Sequence, residues 1–169
     1  MARSVLIVDD DPVQRRIVEA AVSKFGYDTI AVDGGEAALA ALEKSSTIGV
    51  MILDLVMPGI DGLEVLRRMR ARELELPVIV QTSKGSIDTA VTAMRSGAFD
   101  FVVKPASPER LEIAIANAMK VEAMEDESRR AKKGAAGLLT FRDMVTGSPV
   151  MQRVIQLAQK ASSSNIPIL

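Results

Sequence analysis

Val50-Met51-Ile52-Leu53-Asp54-Leu55-Val56-Met57-Pro58-Gly59-Ile60-Asp61-Gly62 runs four apolar residues into one carboxylate and follows them with a Met-Pro-Gly turn. An unbroken apolar run of this length predicts a strand, Val50 to Leu53, buried on both faces as in a parallel sheet. Asp54 then stands at the carboxyl end of that strand, the edge where open α/β sheets receive their ligands. Pro58 and Gly59 permit neither more strand nor an immediate helix, so they hold a fixed loop beside the carboxylate. Taken alone, Asp54 is equally readable as a helix cap. The rest of the chain decides between the two.

The same grammar repeats on both sides of this stretch. Ser4 to Val8 is an apolar strand that ends in Asp9-Asp10-Asp11, with Asp11 as N-cap and Pro12 opening a helix that runs to about Lys24. Val13, Ile17, Ala20, Ala21 and Phe25 are its expected inward stripe. A second short strand, Thr29 to Val32, precedes a small helix, Glu36 to Lys44, and Gly62 to Ala71 reads as a third helix with Leu63, Leu66 and Met69 inward. Val78 to Gln81 is a strand that ends in Thr82-Ser83, followed by a helix from Ile87 to about Ser96. Phe99 to Val103 is a fifth strand that ends in Lys104-Pro105. Ser107-Pro108 starts a fifth helix that passes Met119. Strands alternating with helices in this way predict an α/β fold: a doubly wound, flavodoxin-like parallel sheet of five strands in the order 2-1-3-4-5, with five flanking helices. Its cleft is expected at the switch between the first and third strands.

Composition narrows the chemistry. Of 169 residues, 48% are hydrophobic but only 3% aromatic, so the core is expected to be aliphatic. A net charge of −1 gives no basic footprint for nucleic acid. The chain has no Cys and no His, which removes disulfides, thiol nucleophiles, imidazole bases and the usual zinc sites. No apolar run is long enough for a membrane span and no signal peptide is legible, so a cytoplasmic location is expected.

Polar groups nevertheless gather at the strand ends. Asp9 and Asp10, Asp54, Thr82 and Lys104 each end a different strand, and the carboxyl ends of parallel strands share one edge. Three carboxylates packed together repel and call for a cation. An all-oxygen donor set selects a hard ion, and Mg²⁺ fits best. Asp10 is the expected direct ligand and Asp9 a ligand through water, with Asp54 and the backbone carbonyl of Val56 completing the set. A carboxylate between a divalent cation and a lysine is placed for in-line attack on phosphorus, with Thr82 offering a hydroxyl to a phosphoryl oxygen.

These residues resemble the receiver domain of two-component response regulators over residues 4 to about 121. The resemblance rests on Asp9-Asp10, on Asp54-Leu-Val-Met-Pro-Gly-Ile-Asp-Gly, on Thr82 and on Lys104-Pro105. It implies that Asp54 accepts a phosphoryl group from a sensor histidine kinase with Mg²⁺, that Ser83 and Val56 flank the acyl phosphate, and that Thr82 and Phe101 form a switch pair. Phe101 stands where the family carries an aromatic, often tyrosine. Val56 is apolar, Ser83 stands where a small alanine is usual, and Ala106 replaces a common phenylalanine.

Beyond Val121 the composition turns charged, and Gly134-Ala-Ala-Gly137 is expected to break a helical extension, giving a linker over 122–137. Residues 138–169 look like the opening of the AAA+ domain of NtrC-type, sigma-54-dependent activators. They hold a helix from Pro149 and a strand Ile166-Pro-Ile-Leu169 but no phosphate-binding loop of the Gly-x-x-x-x-Gly-Lys-[Ser/Thr] type. The chain is therefore expected to be a phosphoacceptor and not an ATPase, cut from a longer regulator that meets sigma-54 RNA polymerase and DNA through other parts. Leu111, Ile115, Ala118 and Met119 to Val121 lie near heptad spacing; packing on the sheet claims part of this stripe, and an extension of it through the linker as a coil predicts a homodimer. Two rival readings stand beside this one. Asp9-Asp10-Asp11-Pro12-Val13 is similar to the nucleophile motif of haloacid-dehalogenase-type phosphatases, with Asp9 attacking and Asp11 as general acid. A binding-only module, in which phosphorylation has no effect, is the other.

Overall fold

The computed structural model describes residues 3–83 and 87–135. Five strands and five helices alternate: β1 (Ser4–Val8), α1 (Pro12–Lys24), β2 (Asp28–Val32), α2 (Gly35–Lys44), β3 (Ile48–Asp54), α3 (Gly62–Ala71), β4 (Val78–Thr82), α4 (Ile87–Arg95), β5 (Asp100–Val103) and α5 (Pro108–Ala135). All pairings are parallel and the strand order is β2-β1-β3-β4-β5, as the sequence predicts. The central strand is longer than its apolar run, because Ile48 pairs with Ser4, Gly49 is skipped in the register with β1, and Asp54 pairs with Gln81.

Alternation along each strand divides the core in two. Leu6, Val8, Met51, Leu53, Val78 and Val80 face α2, α3 and α4, whose Leu39, Leu66, Met69 and Ala93 complete that layer. Val5, Ile7, Val50, Ile52, Ile79 and Val102 face α1 and α5. Both layers are almost entirely aliphatic, which accords with the scarcity of aromatics.

Two expected helix faces are corrected. On α1, Val13 and Ile17 are 62% and 58% exposed and Ala20 is exposed too, while Val18 and Val22 are buried with Ala21 and Phe25 packed beside them. The helix carries two apolar stripes, and the one that meets β1 and β3 begins at Val18. On α5, the heptad-like residues Leu111, Ile115 and Ala118 lie at the bottom of the second layer with Ala114. That stripe packs on the sheet and is not available as a seam between chains. α5 is described through Ala135, within the Gly134-Ala-Ala-Gly137 stretch where its end is expected.

The chain divides into two compact units, Met1–Glu125 and Asp126–Leu169. Of the second, only the α5 turns through Ala135 are described. The expected AAA+ opening, with its helix from Pro149 and strand Ile166–Leu169, lies outside the described residues. No described helix is long and apolar enough to cross a membrane.

Candidate functional site

Four strand ends build the site. β1 delivers Asp9, 2% exposed, and β3 delivers Asp54, 8% exposed. Their carboxylates and that of the exposed Asp10 hold oxygens within 4.8 Å of one another. Lys104, just after β5, reaches across from the far end of the chain. Its Nζ donates to Asp9 Oδ2 at 2.7 Å and to Asp54 Oδ2 at 2.9 Å. Burial by itself pulls the lysine pKa down. The hydrogen bonds to Asp9 and Asp54, together with their charges, outweigh it and hold the ammonium above the ordinary lysine value. Lys104 is thus an integral counter-charge to two buried carboxylates.

Backbone groups fix the remaining oxygens. Val56 N–H donates to Asp54 Oδ1 at 3.3 Å and Asp11 N–H donates to Asp9 Oδ1 at 3.0 Å. Asp11 itself is committed elsewhere. Its carboxylate accepts from Val13 N–H at 2.8 Å and Gln14 N–H at 3.3 Å as the N-cap of α1, and it stays out of the acidic cluster. Of three consecutive aspartates, two face Asp54 and one starts the helix.

A cleft of about 430 Å³ opens above this cluster, lined by Asp9, Asp11, Gln14, Asp54, Val56, Ser83, Lys104 and Pro105. A larger hollow, about 860 Å³, lies at the opposite end of the sheet beside Pro77 and Phe99. It holds none of the carboxylate cluster, so the smaller cleft is the candidate site. Thr82 is fully buried at the end of β4, and Ser83 beside it is exposed on the cleft wall. Phe101 pairs with Val80 and Val103 with Thr82, which puts Thr82 and Phe101 on one face of adjacent strands, two positions apart. Phe101 is half-buried against the first core layer.

Two residues that no strand end supplies also reach this region. Gln14 lines the cleft from the first turn of α1, and Arg15 Nη1 donates to the Asp9 carbonyl at 2.6 Å. The sequence signal for them is the spacing Asp11-x-x-Gln14, a capping-box pattern that marks the helix start and therefore which side chains ride over the cleft.

The loop after Asp54 is held by close backbone packing. Gly59 has φ +80°, which suits glycine at the turn. Gly62 opens α3 beneath the Asp61 cap and donates its N–H to the Leu55 carbonyl at 3.1 Å. A Cβ at position 62 would lie 2.5 Å from the Asp54 carbonyl oxygen and 2.8 Å from Leu55 Cα, neither of which can rotate away. Gly62→Ala is expected to push α3 off the end of β3 and destabilise the fold by about 1–3 kcal/mol, read as a lower urea midpoint. An unchanged midpoint would show that the β3–α3 junction is looser than this packing.

The donor set fits a hard divalent cation: carboxylates converge, and the chain offers no imidazole or thiolate to favour a softer ion.

Comparison with known proteins agrees with this geometry. The family described as "Response regulator receiver domain" matches residues 5–116. Regulatory protein AtoC of Escherichia coli is 32% identical over 165 residues, covering 98% of this chain and 36% of its own length. DNA-binding transcriptional regulator NtrC of Salmonella typhimurium is 33% identical over 165 residues, covering 98% and 34%. The chain therefore spans about a third of the length of the curated relatives it matches. Among solved structures, the signal receiver domain of a Vibrio parahaemolyticus protein is 31% identical with a TM-score of 0.71, covering 76% of this chain and 98% of that one. NtrX from Brucella abortus, solved in complex with ADP, is 29% identical with a TM-score of 0.70, covering 98% of this chain and 36% of that one. With its five parallel strands in the same order as its sequence predicts, and its polar residues gathered at their carboxyl ends, the chain belongs to the response regulator receiver domain family.

Proposed function

We propose that the chain is a phosphorylation-controlled signalling receiver in which Asp54 takes a phosphoryl group from a sensor histidine kinase. The observation that carries this is the position of Asp54, sharing Lys104 with Asp9 at the floor of an open cleft while its Oδ1 is oriented by Val56 N–H. In the transfer, an Asp54 oxygen bonds to phosphorus as the bond from phosphorus to the donor breaks, and the electron pair leaves with the donor. Lys104 then contacts a phosphoryl oxygen, and Thr82 and Ser83 offer hydroxyls to the others. Asp9, Asp10, Asp54 and the Val56 carbonyl would hold Mg²⁺. When bound, the ion supplies positive charge to offset that of the phosphoryl oxygens.

The bias toward a second state would come from Thr82 drawing toward the new phosphoryl group and from Phe101 on the neighbouring strand, since a ligand shifts a two-state equilibrium only by its differential contacts. Exposed Val91 and Met94 on α4, Val103 on β5 and Ile113 on α5 support a homodimer formed around the β5 edge. In the whole regulator, such a change would control a sigma-54-dependent activator through sigma-54 RNA polymerase and DNA. The location this reading requires is the cytoplasm. The phosphatase reading has less support, because the Asp11 carboxylate that would act as general acid caps α1 through its Oδ1 and stands outside the group formed by Asp9, Asp10 and Asp54.

Intact-protein mass with acetyl phosphate tests the proposal. One phosphoryl adduct is expected with Mg²⁺ and none with EDTA, and light scattering on the same samples is expected to show a larger species with the adduct. No adduct under either condition would overturn the receiver function, and a monomer throughout would overturn the dimer.

A further inference from the structure

The geometry points to Gln14 as the residue that positions the water that hydrolyses phosphorylated Asp54, and hence as the setting of the signal's lifetime. This rests on Asp54 being the phosphoacceptor. Hydrolysis requires water to approach phosphorus from the side opposite the Asp54 oxygen, which is the open mouth of the cleft. The groups there differ sharply in what they can do for a water molecule. Val56 is 60% exposed and its side chain is apolar, as is that of Pro105. Asp11 Oδ1 caps α1 by accepting from Val13 N–H and Gln14 N–H, and a carboxylate that accepts from a water has no donor for a phosphoryl oxygen; Lys104 lies between Asp9 and Asp54. Gln14 and Ser83 are the neutral polar side chains left on the wall.

Gln14 is free for this role for a structural reason. At the third position of a helix behind an aspartate cap, a glutamine ordinarily turns back to the cap's own N–H. Here the Asp11 N–H donates to Asp9 Oδ1 at 3.0 Å, so the capping contact is pre-empted. Among the described residues the Gln14 carboxamide has no hydrogen-bond partner. Arg15, the next residue, ties the same helical turn to the Asp9 carbonyl at 2.6 Å, which fixes the distance between that turn and the acidic cluster. A carboxamide carries both an acceptor and two donors. It can accept from the attacking water and donate to a phosphoryl oxygen at once. In the step, the water oxygen bonds to phosphorus while the bond to the Asp54 oxygen breaks. The electron pair returns to the carboxylate, and the water proton ends on the released phosphate.

The experiment is a pair of time courses by intact-protein mass: adduct formation with acetyl phosphate and Mg²⁺, then decay after the donor is removed. Gln14→Met keeps the length and loses the polar end. It is expected to slow decay on the order of tenfold and to change formation much less. Ser83→Ala is run beside it, with circular dichroism to check that both variants fold. Decay of Gln14→Met at the wild-type rate, or equal slowing of formation and decay, would overturn the inference, as would lengthening seen in Ser83→Ala alone. A wild-type chain that forms no adduct would bring down the receiver function and this inference together. An adduct with unaltered decay in Gln14→Met would bring down only the inference.

Discussion

Asp54→Asn protein incubated with acetyl phosphate and Mg²⁺ gains no phosphoryl group, while Asp9→Asn protein retains some capacity to be modified. The first half of this expectation follows from nucleophilicity. An asparagine amide oxygen is uncharged and cannot form a stable acyl phosphate, so the effect is complete loss and not a rate reduction. The fold should survive, because Asn has the shape of Asp, its oxygen still accepts from Lys104 Nζ, and one of three mutually repelling carboxylates is removed. The second half follows from position. Asp9 is bonded by Lys104 and by Asp11 N–H, which makes it a partner of the site's charge balance and leaves its removal damaging without deleting the reacting atom. Intact-protein mass after a fixed incubation reads both variants. An adduct that persists in Asp54→Asn and disappears in Asp9→Asn would restore the phosphatase-like reading.

The strand ends were legible in the sequence because buried parallel strands are nearly pure apolar runs, so the first polar residue after each run marks the sheet edge. That logic located Asp9, Asp54 and Lys104 without any contact information, and Thr82 one residue beyond the Gln81 that ends the apolar run of β4. It does not locate residues that reach the cleft from a helix, and Gln14 and Arg15 are of that kind. Helix faces were less legible for a specific reason. α1 carries Val13 and Ile17 on one side and Val18 and Val22 on another, and periodicity alone scores both stripes. The choice is made by where the Asp11 cap and the Arg15 contact set the first turn, a tertiary matter. On α5 the apolar spacing fits a sheet as well as a second helix, and Leu111, Ile115 and Ala118 pack wholly on the sheet. What the sequence could not express at all is that Lys104 bonds both Asp9 and Asp54, 95 and 50 residues away.

That shared bond has the largest expected consequence for stability. Lys104→Met should lower the unfolding free energy measured in EDTA by about 3–5 kcal/mol, the range for removing one partner of a buried ion pair. The variant keeps the apolar stem and removes the ammonium with its two hydrogen bonds. Asp9 and Asp54, with side chains 3% and 11% exposed, are then left facing each other and Asp10 with no internal cation. Mg²⁺ should return a substantial part of the loss in the variant, because a cation among the carboxylates supplies the missing charge. The pH dependence carries a separate sign. Lys104 has its pKa raised in the folded state, so its contribution to wild-type stability is fully present below the unfolded lysine value of about 10.4 and fades as pH rises through the higher folded value. Urea unfolding of the wild type above that value should therefore show an alkaline decline that Lys104→Met lacks. If the variant were as stable as the wild type in EDTA, the two hydrogen bonds to Lys104 would contribute little net stability. The carboxylates would then be relieved by solvent at the cleft, and the lysine's role would be confined to the phosphoryl group.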